Sequence, residues 1–206
     1  MFHRIHALSA LAAGAVLLGT AAQATTITYN FSSASGSSTP TTLQGATFSS
    51  PSDPGAFTFG PNGGLYSTLG STVLSSAGVA AALDISFSQA QTGITFDAAN
   101  GDGFAENGND TLTLTTNTGF SQTINLAIPS GSGDLYPQGS FSLAGAAPFT
   151  SVAISTVDAA GPESLAIADL TTTTVPLPAA LLLLTSGLAG LSVFPRVGLR
   201  RRAQPA

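Results

Sequence analysis

Residues 110–128 read DTLTLTTNTGFSQTINLAI, and this stretch decides the fold class. Its apolar residues alternate with polar ones, at Leu112, Leu114, Ile124, Leu126 and Ile128. A period of two is typical of a β-strand with one buried face, so these side chains are expected to point inward. Between the two arms, Asn117-Thr118-Gly119 provides turn residues, and glycine adopts the positive φ that tight hairpin turns need. The stretch therefore predicts an antiparallel β-hairpin.

The same alternation recurs on both sides of this hairpin, within residues 25–174. Short strands are predicted at residues 26–31, 45–50, 56–59, 83–88, 94–97, 140–144, 150–156 and 164–172, with 72–83 as strand or loop. Residues 32–42 and 60–70 are predicted to be loops, and residues 89–92 to be a short turn between two adjacent strands. About nine or ten short strands with almost no helix between them predict an all-β domain, an antiparallel β-sandwich with a jelly-roll-like arrangement.

The N-terminus, residues 1–24, is typical of a secretory signal peptide. Arg4 precedes an apolar stretch over residues 7–19, and Ala22-Gln23-Ala24 is a small-x-small cleavage site. The alternative is a second transmembrane helix, but the apolar stretch is short and rich in Ala and Gly. We therefore expect signal peptidase to cleave after Ala24 and to leave Thr25 as the first residue of the exported domain.

The C-terminus, residues 175–206, combines a proline-containing motif, an apolar stretch and basic residues. Residues 177–194 carry no charge and would span roughly 27 Å as a helix, close to the ~30 Å of a hydrocarbon core. The basic residues that follow form a cytoplasmic stop and are Arg196, Arg200, Arg201 and Arg202. An ordinary membrane anchor or a buried core helix is the alternative. We expect a transmembrane helix with residues before Val175 outside the cytoplasm.

The motif itself is Val175-Pro176-Leu177-Pro178-Ala179. Together with the apolar stretch and the arginine cluster, it resembles the VPLPA variant of the PEP-CTERM sorting signal of Gram-negative bacteria. The resemblance implies that an exosortase, a membrane-embedded cysteine protease and transpeptidase, recognises and cleaves the motif. It also implies an inner-membrane precursor whose ectodomain is later released or transferred to the cell surface or extracellular matrix.

The charge distribution restricts the possible functions. Residues 25–174 contain all 10 acidic residues and none of the 5 basic ones, which gives a formal charge of −10, and the chain has no cysteine. Nothing in this region can neutralise phosphates, so a nucleic-acid partner is excluded. Both histidines lie in the signal peptide. A Ser-His-Asp triad, a Schiff base and a thiolate nucleophile are therefore excluded, and we predict that the domain is not an enzyme.

One loop has the composition of a calcium site. Residues 100–110 place Asp102, Glu106 and Asp110 among glycines and asparagines, which offer the oxygen ligands that Ca²⁺ prefers. The alternative is a solvated connection between strands, in which Asn and Asp serve turn geometry. No other cofactor is predicted.

Asp169 is the other unusual carboxylate. Regular strand alternation places it on the same side as Leu165 and Ile167, where a charge needs a partner. The simplest interpretation is that the strand has already ended and Asp169 is solvated.

These features predict a secreted or cell-surface structural protein of the extracellular matrix, processed by an exosortase. The alternative is a calcium-dependent carbohydrate-binding domain of an exopolysaccharide matrix, and a carboxylate-based glycoside hydrolase is a more distant one. Tyr29, Tyr66 and Tyr136 are the only tyrosines and tryptophan is absent, which weakens the case for a sugar-stacking surface.

Overall fold

The computed structural model describes residues 23–51, 53–76, 82–100, 110–130, 136–157 and 164–175. Within these ranges there are eleven strands and one short 3₁₀ helix, Phe31–Ala34. The strands are β1 Thr26–Thr28, β2 Thr41–Leu43, β3 Ala46–Ser49, β4 Phe57–Pro61, β5 Thr72–Ser76, β6 Leu83–Asn100, β7 Thr111–Thr116, β8 Ser121–Asn125, β9 Gln138–Leu143, β10 Phe149–Val157 and β11 Leu165–Thr174. In the described part of the chain, no helix is long and apolar enough to span a membrane.

The hairpin predicted at residues 110–128 is present as β7 and β8. Leu112 lies opposite Ile124 in antiparallel register, and the turn closes with Gly119 at φ 87°. Leu112 and Leu114 are fully buried, as predicted. Ile128 was expected to point inward but is 36% exposed, because β8 ends at Asn125 and the strand alternation ends with it.

The turn predicted at residues 89–92 is wrong, because β6 continues from Leu83 to Asn100 as one strand. Its residues in the main core change from odd to even positions along the strand, at Leu83, Ile85, Phe87, Ile94, Phe96 and Ala98. Register shifts in the pairing of β6 with β10 and with β11 flank this change. A β-bulge adds one residue and so exchanges the two faces of a strand. The sequence loses its alternation here although the backbone stays extended.

β6 belongs to both layers of the fold. Its first half pairs with β3 and β10, and its second half pairs with β9 and β11. We call β9, the second half of β6, β11, β5, β4 and β1 the front sheet. The back sheet consists of β2, β3, the first half of β6, β10, β7 and β8. All pairings are antiparallel, so the predicted all-β antiparallel sandwich is confirmed.

One hydrophobic core joins the two layers. The ring of Phe48 in the back sheet meets that of Phe59 in the front sheet at 5.4 Å between centroids, edge to face. Tyr29 and Phe31, which follow β1, pack on the same ring of Phe48. The largest fully buried side chains are Phe48, Phe57, Phe59, Phe96, Phe141 and Phe149. In a chain without cysteine, stability comes from the packing of this apolar core, of which the aromatic rings are the largest side chains.

Two further expectations need correction. The loop predicted at residues 32–42 contains most of the 3₁₀ helix and the start of β2, which pairs with β3. Asp169 is exposed, but β11 does not end before it. The strand bulges there, with Asp169 at φ 51° and a register shift between Ala168 and Thr171. The bulge turns the carboxylate outward while Ala168 and Leu170 stay buried.

Candidate functional site

The outer surface of the front sheet carries a rigid loop between β4 and β5, residues 62–71. Asn62 organises it from the inside and is only 8% exposed. Its Nδ2 donates to the carbonyl oxygens of Tyr66 at 2.7 Å and Leu69 at 3.2 Å, and its Oδ1 accepts from the Tyr66 N–H at 3.0 Å. One buried amide thus satisfies three backbone groups of the loop, which fixes the loop's conformation.

The loop is also fastened to the sheet below it. Leu69 packs into a small apolar cluster on the outer face of the front sheet, with Val73, Ala99, Ala166 and Ala168, and Tyr66 packs against this cluster. Gln138 on β9 provides a polar anchor, because its Oε1 accepts from the N–H of Thr68 at 2.9 Å and from its hydroxyl at 2.6 Å. The second half of the loop, from Tyr66 to Leu69, is therefore held against the sheet.

The result is a pair of tyrosines on the protein surface. Tyr66 on the loop and Tyr136 before β9 meet with ring centroids 5.2 Å apart and ring planes at 68°. Both residues are partly exposed. Burial raises the pKa of Tyr66, and Tyr136 raises it further, so the Tyr66 hydroxyl is neutral at physiological pH. The pair offers apolar ring surface together with hydroxyl groups.

A polar strip continues from Tyr136 along the front sheet. Gln138, Ser140 and Ser142 succeed one another on β9 at intervals of roughly 6.8 Å, the two-residue repeat of a strand. On the neighbouring β6, Asp97 accepts a hydrogen bond from the Ser140 hydroxyl at 2.5 Å. The hydroxyls of Thr95 on β6 and Thr171 on β11 are also hydrogen-bonded to each other. This face presents hydroxyl and carboxylate groups beside an aromatic pair.

The structure places only some of the residues predicted to be functional. Ala24 is exposed and precedes β1, and Val175 follows β11 and donates its N–H to the Ala90 carbonyl at 2.9 Å. Asp110, from the predicted calcium loop, is fully buried at the start of β7. The remaining predicted residues lie outside the described ranges, and they are Ala22, Asp102, Glu106, Pro176, Leu177, Pro178, Ala179, Arg196, Arg200, Arg201 and Arg202. Among the described residues, no group of three or more His, Cys, Asp or Glu could hold a metal ion.

The two ends of the domain pair with each other. β1 pairs with the end of β11, with Thr26 opposite Thr173 and Thr28 opposite Thr171. Beyond this ladder, the N–H of Thr25 donates to Oγ1 of Thr174 at 3.2 Å. Thr174 in turn donates to the Thr25 carbonyl through its N–H at 2.9 Å and its hydroxyl at 3.2 Å. The expected first residue of the exported domain is thus bonded to the residue that precedes the sorting motif.

Sequence reasoning did not find the tyrosine pair. No local pattern in the sequence brings two of the three tyrosines together, since Tyr66 and Tyr136 are far apart in the chain. Tyr29 lies in the core, where its hydroxyl shares a hydrogen bond with Thr172. The one sequence feature that indicated an ordered loop near Tyr66 was Asn62, because asparagine side chains often form hydrogen bonds that fix the backbone of a loop.

No protein-family model matches the sequence, and no curated protein matches it significantly. Among solved structures, the chain is similar to the K2 cleaved adhesin domain of Lys-gingipain, with 16% identity over 73% of this chain and 98% of that one and a TM-score of 0.45. It is also similar to a family 29 carbohydrate-binding module, with 14% identity over 74% and 90% of the two chains and a TM-score of 0.41. The K1 cleaved adhesin domain of Lys-gingipain from Porphyromonas gingivalis matches with 10% identity over 73% and 99% and a TM-score of 0.43. Likenesses at this level say nothing about the ligand of this chain.

Proposed function

We propose that this protein is an exported, non-catalytic β-sandwich domain that binds a neutral polysaccharide at the cell surface or in the extracellular matrix. The observation that carries the proposal is the tyrosine pair at the surface of the front sheet, in which Tyr66 on the fixed loop meets Tyr136, which precedes β9. The apolar face of a sugar ring packs on an aromatic ring, and its hydroxyls need hydrogen-bonding partners at the edge. The polar strip of Ser140 and Asp97 provides such partners.

Preorganisation supports this function. A loop that had to become ordered on binding would cost about 0.5–1.5 kcal/mol for each side chain immobilised. Here Asn62 and Gln138 already hold the loop through several hydrogen bonds, and Leu69 is buried beneath it. The rings of Tyr66 and Tyr136 are therefore in place before a ligand arrives.

The charge of the domain determines which class of polysaccharide it binds. Residues 25–174 contain all 10 acidic residues and no basic one, so an acidic polysaccharide would be repelled. A neutral polysaccharide avoids this repulsion, and it can donate hydroxyl hydrogen bonds to Asp97. The proposal needs no metal ion.

The export route is a second part of the proposal. We infer that signal peptidase releases Thr25 and that an exosortase acts at Val175–Ala179, with the precursor passing through the inner membrane. The hydrogen bonds between Thr25 and Thr174 support this route, because they join the two ends of the folded domain. Thr25 directly follows the expected signal-peptide cleavage site, and Thr174 directly precedes the sorting motif. Intact-mass measurement of the cell-surface or secreted protein tests this part. The expected mass begins at Thr25 and lacks the C-terminal arginines, and a full-length membrane-bound chain at steady state would contradict it.

Affinity electrophoresis of the full chain tests the binding function. Gels would contain a neutral polysaccharide (hydroxyethylcellulose or galactomannan) or the acidic polysaccharide alginate. We expect retardation by at least one neutral polysaccharide and none by alginate. Covering about 60 Å² of ring surface at 25 cal/mol per Å² contributes about 1.5 kcal/mol, so Tyr66→Ala or Tyr136→Ala should weaken binding about tenfold.

Phe120→Ala is the matched control. Phe120 is an aromatic residue that is 39% exposed, and it follows the turn of the β7–β8 hairpin, away from the tyrosine loop. If Phe120→Ala weakened binding as much as Tyr66→Ala, the retention would reflect unspecific apolar contact. Equal retention of the native chain in the neutral and alginate gels would contradict the charge argument.

A further inference from the structure

A cavity of about 260 Å³ lies at the other end of the tyrosine loop, where the loop leads into β5. Tyr29 and Phe31 line it from the core side and are each only 4% exposed, so its apolar floor is small. Its rim is polar and consists of Thr28, Asn30, Ser32, Ser71, Thr72 and Asp169. An apolar floor with convergent polar groups at the rim is typical of small-ligand sites.

Asp169 is the only charged residue among the described residues that line this cavity, and an unusual backbone conformation directs its side chain there. A non-glycine residue at φ 51° is uncommon, although aspartate tolerates this conformation better than most residues. The register shift between Ala168 and Thr171 turns the carboxylate out of the strand. Within the described part of the chain the carboxylate has no hydrogen-bond partner, so both oxygens can accept bonds from a ligand.

Gly70 makes room for the carboxylate. A Cβ atom at this position would lie 2.9 Å from both Oδ1 and Oδ2 of Asp169, which is closer than real contacts allow. Only glycine therefore lets the carboxylate stay where it is. Gly70 needs no positive φ, so its role here is the close approach of the side chain rather than turn geometry.

The groups around the cavity identify the class of ligand. A free carboxylate excludes anions, and a single carboxylate is too few for a typical Ca²⁺ site, which takes 6–8 oxygen ligands with several carboxylates among them. A carboxylate with two open oxygens accepts two charge-assisted hydrogen bonds from neighbouring hydroxyls. Hydroxyl groups from Ser71, Thr72 and Thr28 complement a ligand that itself carries several hydroxyls.

We propose that the cavity lined by Asp169, Ser71, Thr72 and Thr28 binds a single neutral sugar ring, with Asp169 accepting hydrogen bonds from two adjacent hydroxyls. The proposal deepens the function proposed above and shares only its ligand class. The tyrosine pair contacts a polysaccharide at one end of the loop, and this cavity forms a separate subsite at the other end.

Amide chemical shifts of the ¹⁵N-labelled full chain test the proposal, because they report on both ends of the loop separately. The probes are methyl β-D-glucopyranoside and methyl α-D-mannopyranoside, with CaCl₂ in a parallel titration. We expect one of the two glycosides to shift the amide signals of Gly70, Ser71 and Thr72 saturably. Asp169→Asn, which keeps the shape and removes the charge, should weaken this binding about tenfold.

Two glycine variants distinguish a loss of sugar binding from a loss of folding. Gly70→Ala displaces the carboxylate without removing it and should weaken binding about fivefold, since a displaced charge loses its hydrogen-bond geometry. Gly60→Ala is the matched control, because a Cβ atom there meets nothing within 4 Å. The same spectra show whether each variant is folded, and Gly60→Ala should bind as the native chain does.

The outcomes separate the two proposals. Sugar-induced shifts confined to Tyr66 and Thr68 would overturn the cavity proposal and leave the binding function of the tyrosine pair intact. Shifts confined to Gly70, Ser71 and Thr72 would support the cavity and count against the tyrosine pair. The cavity proposal is also wrong if neither glycoside causes shifts, or if only CaCl₂ shifts these three amides.

Discussion

Replacing Phe48 with alanine tests whether the two sheets share one core. Phe48 lies on β3 of the back sheet and is completely buried. Its ring packs edge to face on three other rings, with centroid distances of 5.4 Å to Phe59 of the front sheet, 5.8 Å to Phe31 and 6.3 Å to Tyr29. The variant therefore removes a side chain that three other aromatic rings touch.

The expected loss of stability follows from this environment. Truncation of a buried Phe to Ala costs about 3–5 kcal/mol, and each aromatic pair contributes about 0.5–1.5 kcal/mol beyond its buried area. With three such pairs the loss for Phe48→Ala should lie in the upper half of that range, at about 4–5 kcal/mol. Since domains have a total unfolding free energy of about 5–15 kcal/mol, this is a large fraction of the total.

Urea unfolding of the full chain, followed by far-UV circular dichroism, measures the effect. With an m-value of about 2 kcal/mol/M, the midpoint should fall by about 2 M. Phe48→Leu fills much of the space and should lose only about 1–1.5 kcal/mol. Phe120→Ala, at a 39% exposed position, should stay within about 0.5 kcal/mol of the native chain. If Phe48→Ala lost less than about 1.5 kcal/mol, the shared core would be refuted.

Three further predictions concern the closure of the domain, the loop anchor and one carboxylate. Thr174→Val removes the hydroxyl that bonds Thr25 and should cost about 1–2 kcal/mol in urea unfolding, whereas no loss would show that the terminal pairing is dispensable. Gln138→Ala frees Thr68 and should speed amide exchange in residues 62–70 and weaken polysaccharide binding about fivefold, while unchanged exchange would count against the anchor. Burial raises the pKa of Asp84 above its ordinary 3.8, so the ionised form is penalised in the folded state. Asp84→Asn should therefore stabilise the chain at pH 7, and this gain should disappear as the pH falls through the raised pKa to 3.8. Thermal unfolding between pH 3 and pH 8 measures the difference in unfolding temperature between the variant and the native chain. A difference that stays the same across this pH range would contradict the prediction.

The fold class could be predicted from sequence because strand alternation is a local property. The β7–β8 hairpin at residues 111–125 is predictable by itself, since the period of two and the turn with Gly119 lie within one short segment. The interruptions of the pattern could not be interpreted in the same way. At residues 88–93 of β6 and at Asp169 of β11, a loss of alternation indicates a turn or a strand end, whereas the structure contains bulges stabilised by neighbouring strands.

The candidate site was less accessible to sequence reasoning because it depends on contacts between distant segments. Tyr66 and Tyr136 meet only because β5, β11, β6 and β9 lie side by side, and no local pattern encodes that order. The role of Gly70 likewise depends on Asp169, a residue on another strand. Sequence did provide the charge distribution, which is independent of the fold and on which the proposed class of ligand rests.

Tyrosine fluorescence of the full chain during titration with neutral hexasaccharides, cellohexaose and mannohexaose, tests the central claim most directly. The chain has 3 tyrosines and no tryptophan, and Tyr29 lines the cavity at the other end of the loop. The part of an emission change that reports on Tyr66 and Tyr136 is therefore the part that the double variant Tyr66→Ala/Tyr136→Ala loses. Binding on the tyrosine pair predicts a saturable change in emission with at least one hexasaccharide, and this change should be clearly larger in the native chain than in the double variant, which keeps only Tyr29. Retention of the native chain by a neutral polysaccharide without any change in tyrosine emission would contradict the claim.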